Sequence, residues 1–82
     1  MIVDPPGAPR LPPPRPYGAT AAVIRALRKE LGLTQERFAG EAGVTVSTIN
    51  RWEGGLARPS QACRLLIDLA AGRHHLRVVW PV

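Results

Sequence analysis

The chain has 82 residues, with 11 Lys and Arg against 6 Asp and Glu and a net charge of +5, which allows one small basic domain and its tails. A core of roughly 60 residues buries only about 60% of its unfolded surface, so it is marginal alone and gains from pairing with a second copy. A single cysteine, Cys63, excludes an internal disulfide framework. No apolar run approaches the ~20 residues of a membrane span. The opening Met1-Ile2-Val3-Asp4 lacks the basic and apolar regions of a signal peptide, so a cytoplasmic location is expected.

Residues 1–18 hold seven of the nine prolines. Proline removes backbone donors and biases its predecessor towards extended geometry, so this segment reads as a polyproline-II-like arm carrying Arg10 and Arg15. Two roles are open for it: an arm lying in a minor groove or docking on a partner, and a plain disordered tail. From Thr20 a helical period begins, with Val23, Ile24, Leu27 and Leu31 on one stripe and Arg25, Lys29 and Glu30 facing outward. Gly32 ends this helix. Thr34 caps a second helix running to about Ala42, with Phe38, Ala39 and Ala42 inward.

Gly43 supplies a turn that needs positive φ. Thr45 caps a third helix from Val46 to Trp52 or Glu53, with Ile49 and Trp52 on its buried side, and Gly54-Gly55 stops it. Ser60 caps a fourth helix whose expected inner face is Ala62, Leu65, Leu66 and Leu69, ended by Gly72. The expected fold is therefore all-α: a four-helix domain over 19–73, between the arm and a short tail, 74–82. In that tail Leu76, Val78 and Trp80 would share one face of a β-strand. A lone strand needs a partner, so these three are the expected dimerisation residues unless the strand pairs with the arm or with another protein.

The third helix carries the chemistry. With Ile49 and Trp52 expected to be buried, Val46, Ser47, Asn50 and Arg51 should point away together, on a face that the other predicted elements are expected to leave uncovered. Arg51 can bridge guanine O6 and N7, and Asn50 can take adenine N6 and N7. Ser47 suits either, and Val46 can touch a thymine methyl. Two helices joined by a Gly turn, the second presenting such a face, make a helix-turn-helix reader of duplex DNA. Ten of the eleven cations are Arg, which favours bidentate phosphate and guanine contacts.

Ile24-Arg25-Ala26-Leu27-Arg28, Leu33-Thr34-Gln35, Phe38-Ala39, Gly43-Val44-Thr45, Ser47-Thr48-Ile49, Trp52-Glu53-Gly54-Gly55 and Pro59-Ser60 together resemble the Xre/Cro family of lambda-repressor-like regulators. The resemblance implies that Gln35, at the start of the second helix, holds a phosphate while the third helix lies in the major groove. It also implies a buried ion pair between Arg28 and Glu53 that sets the angle between helices. Gly54 departs from the commoner Asn of the family, and Arg58 would reach the DNA backbone in its place. The expected DNA-binding set is Gln35, Thr45, Val46, Ser47, Thr48, Asn50, Arg51 and Arg58. Its action would be repression by operator occupancy as a homodimer. Compact antitoxins of the same type look similar, so the alternatives are an antitoxin with a protein toxin as partner, and a protein-bridging module without base readout.

Other chemistry finds no support. His74, His75 and Cys63 lack zinc-ligand spacing, so neither metal nor cofactor is expected. Ser47 and Ser60 have no His base set beside them by any motif, and Glu36 and Glu41 read as a solvated face, so no enzyme activity is expected.

Overall fold

Four helices follow one another in the computed structural model, which describes residues 15–81: α1 (Gly18–Glu30), α2 (Gln35–Ala42), α3 (Val46–Glu53) and α4 (Gln61–Arg73). The proline-rich stretch up to residue 14, with Arg10, lies outside the described residues.

Three of the four helices start on a side-chain cap. Thr34 Oγ1 accepts the N–H of Arg37 at 3.1 Å, Thr45 Oγ1 that of Thr48 at 3.3 Å, and Ser60 Oγ that of Cys63 at 3.2 Å. Each bond satisfies one of the donors that the first turn of a helix leaves orphaned. α2 ends on Gly43, whose φ of +71° is the left-handed geometry that lets the Val44 N–H reach back to the Ala39 carbonyl at 3.0 Å. That reversal aims α3 across α2.

α1 packs on α3, α3 on α2, and α2 on α4. Ile24, Phe38, Ile49 and Ile67 supply one fully buried side chain from each helix, and Leu27, Ala39, Ala42, Trp52 and Ala71 complete the core around them. Among the described residues no helix is long and apolar enough to cross a membrane.

The structure departs from two expectations. The inner face of α4 is not Ala62, Leu65, Leu66 and Leu69, all of which are exposed; it is Ile67, Ala70 and Ala71, with Cys63 half-buried beside them. α4 is apolar on two sides, and the side bearing β-branched Ile67 and two alanines allows the closer approach to α2. Within the described residues of the single chain, the tail takes no β-strand form. Among the described residues 74–81 no strand pairing forms, because α4, which runs through Gly72 to Arg73, closes on a reversal. His75 takes φ +59° and the Leu76 N–H bonds to the Ala71 carbonyl at 2.9 Å. The reversal folds the chain back along α4, so Trp80 Nε1 donates to Asp68 Oδ1 at 2.9 Å and the ring lies 5.9 Å from the Arg64 guanidinium. Leu76, Val78 and Trp80 do share a face, but it is half-buried on the protein's own core.

Candidate nucleic-acid interface

α3 is fixed from behind by three buried residues, Ile49, Trp52 and Glu53. Its opposite side presents Ser47, Asn50 and Arg51, all exposed, with Val46 half-buried at the N-terminal end. The Ser47, Asn50 and Arg51 side chains make no hydrogen bond among the described residues, so their donors and acceptors remain available to a ligand, while Val46 offers an apolar contact. Thr45 and Thr48 sit at its start with their hydroxyls 3.1 Å apart. Gln35, half-buried at the first turn of α2, lines an open cleft with Arg28, Thr34, Glu36 and Val46. The starts of α2 and α3 therefore border one surface, with two helix N-termini beside a row of polar side chains. Helix N-termini favour anions.

The angle of α3 is set by a clasp at its other end. Arg28 Nε and Nη2 donate to the two carboxylate oxygens of Glu53 at 2.8 and 2.9 Å, a bidentate pair whose side chains are 18% and 6% exposed. Such forked pairing adds geometric specificity to charge. The hydrogen bonds to Glu53, reinforced by its negative charge and opposed by burial, push the Arg28 pKa above its ordinary value. Arg28 Nη1 also donates to the Leu33 carbonyl at 3.2 Å, which ties the α1–α2 connection into the same knot. Arg25, one turn earlier, donates to the Glu53 carbonyl. Sequence reasoning placed Arg25 merely outward. The signal available was its position three residues before Arg28, on the side of α1 that meets α3.

Beyond α3 the chain turns on Gly54 and Gly55. The φ of Gly55 is +76°, and an added Cβ would stand 3.3 Å from the Arg15 Cβ. Tyr17 N–H donates to the Gly55 carbonyl at 3.1 Å, and the Arg58 guanidinium lies 5.5 Å from the Tyr17 ring centroid. Arg58 is exposed but is held over an aromatic face, a cation–π arrangement that limits where its charge can go. Nothing in the sequence pattern pointed to Tyr17 as its support. Among the described residues no group of three or more His, Cys, Asp or Glu is placed to hold a metal ion.

Comparison with known proteins fits this geometry. A family model described as helix-turn-helix matches residues 24–62, which span the clasp, both helices of the motif and the turn after it. An uncharacterized HTH-type transcriptional regulator of Methanothermobacter thermautotrophicus (strain Delta H) is 45% identical over 58 residues, covering 71% of this chain and 84% of that protein. No solved structure matches the chain.

Proposed function

The chain belongs to the Xre/Cro family of lambda-repressor-like helix-turn-helix transcriptional regulators, and we propose from that premise that it reads duplex DNA by sequence and represses transcription by occupying an operator. One observation carries the reading. Ser47, Asn50 and Arg51 are exposed on a single side of α3, while Ile49, Trp52 and Glu53 are buried on the other. In this reading α3 lies in the major groove, with Val46, Ser47, Asn50 and Arg51 on base edges. Gln35, Thr45, Thr48 and Arg58 hold phosphates and set the register. Two copies read a palindromic site, their recognition helices about one helical turn (~34 Å) apart.

Selection of bound duplexes from a random pool tests the reading, since a regulator should prefer its site over random DNA by ~10³ or more. Arg51→Ala is expected to lose about 1–3 kcal/mol of binding and to relax one base position. Unchanged affinity with unchanged preference would sink the assignment.

Thr45 serves folding as well as contact, and the two roles separate by substitution. Thr45→Ala should lower stability by about 1 kcal/mol by removing the cap. Thr45→Asp restores a cap but sets a negative charge beside the phosphates. Urea melts and operator titrations of the Asp variant should therefore move in opposite directions, stability recovering while DNA affinity falls. Equal affinity in both variants would remove Thr45 from the DNA-contacting set.

A further inference from the structure

α4 carries more apolar surface than the bundle uses. With Ile67, Ala70 and Ala71 committed to the core, Leu65 and Leu69 remain 59% and 63% exposed on the other side. Ala62 and Gly72 are exposed as well. Positions 62, 65, 69 and 72 step by three, four and three residues, the a/d spacing of a coiled-coil seam, with leucines in the middle and small residues at both ends. We propose that this seam pairs in parallel with the same seam of a second copy, making α4 the dimer interface. It would serve the two-fold operator binding proposed above, on whose dimeric state it rests.

The charges beside the seam select a second copy as the occupant. Asp68 falls at a g position and Arg73 at the following e. In a parallel pair each g faces the next e across the interface, so two Asp68–Arg73 contacts form, one on each side of the axis. Both residues are exposed and retain capacity for a new partner. Trp80 takes Oδ1 of Asp68, and Oδ2 has no donor among the described residues. Arg73 reaches Glu41 through Nη2 alone, with its side chain 63% exposed. A parallel arrangement also keeps both Ser60 ends together, so that both α3–α4 turns and both recognition helices lie towards one end of the dimer, as two half-sites of one duplex need. Leu76, Val78 and Trp80 are already engaged with their own bundle.

A 13-residue helix is only about 20 Å long and offers less than the ~800 Å² per partner of a standard interface. Association without DNA is therefore weak, and a duplex bearing two half-sites tightens it.

Sedimentation equilibrium of the full chain without DNA, from micromolar to millimolar concentration, tests the seam. The wild-type chain should show a monomer–dimer equilibrium, and Leu69→Glu should weaken it by more than about tenfold with an unchanged helical circular-dichroism spectrum. A Cys63→Ser/Leu65→Cys variant should form a disulfide-linked dimer on mild oxidation, because parallel seams bring like positions together. A wild-type chain that stays monomeric, a Leu69→Glu chain that dimerises as before, or a Leu65→Cys dimer that does not cross-link would each overturn the proposal. A seam that behaves as expected in a chain that binds no duplex would instead refute the operator reading and leave this interface standing.

Discussion

Arg28→Ala should leave the domain largely unfolded at 25 °C, at a cost of about 3–5 kcal/mol. The reason lies in what remains. Glu53, 7% exposed overall, would lose both of the guanidinium donors that satisfy its carboxylate. A single core of this size rarely supplies more than 3–5 kcal/mol, so one uncompensated carboxylate is comparable to the whole stability. Removing both charges together should be far milder. In Arg28→Met/Glu53→Leu the pair is replaced by apolar groups of similar volume, and such exchanges are often neutral or stabilising. Urea denaturation of the two variants decides the matter, and equal losses in both would show that packing of the stems, rather than charge, holds the helices. Operator DNA at about 100 times its Kd should restore roughly 2.7 kcal/mol to the single variant through linkage. Its binding would then look weakened although no DNA contact had been removed.

Phe38→Ala should be equally damaging by a different route. Phe38 is fully buried on α2, in the same core cluster as Ile49, Trp52 and Ile67. Deleting a buried phenyl ring costs about 3–5 kcal/mol, from lost transfer energy and from the cavity that remains. Phe38→Leu keeps most of the volume and should cost under about 1.5 kcal/mol. Chemical denaturation of both variants tests this, and a Phe38→Ala midpoint close to that of the parent would mean that the helices can collapse into the space. The two routes are separable, because the Arg28→Ala loss should be reversed by neutralising Glu53, whereas no charge change should rescue Phe38→Ala.

Local signals made the helix boundaries readable. Thr34, Thr45 and Ser60 stand where the caps form, because a cap joins a side chain to the backbone only three residues further on and depends on little else. Gly43 was legible for the same reason. The inner face of α4 was not, since Leu65, Leu66 and Leu69 form as good an apolar stripe as Ile67, Ala70 and Ala71. Periodicity counts hydrophobicity, but burial depends on which stripe brings α2 and α4 into close contact. The tail shows the same division. The alternation of Leu76, Val78 and Trp80 is real, yet its meaning depended on His75 adopting a left-handed conformation, a choice that favours glycine and is not written in a histidine. At the candidate interface the outward side of α3 followed from Ile49 and Trp52. The support of Arg58 by Tyr17 joins residues 41 positions apart and left no periodic trace.

The hydrogen bonds that hold this domain avoid the side chains proposed to read DNA. Ser47, Asn50 and Arg51 are exposed, and their side chains share in none of the caps, clasps or tail contacts described above. Exchanging them should therefore change folding stability by no more than about 0.5 kcal/mol each, the usual range for surface positions away from special features. On the proposed reading, recognition and folding are thus nearly independent variables in this small domain. New target preferences can be explored by substitution, in nature or in the laboratory, without passing through unfolded intermediates. Val46 is the exception: half-buried against the core, it couples any change in preference at the head of α3 to the packing beneath.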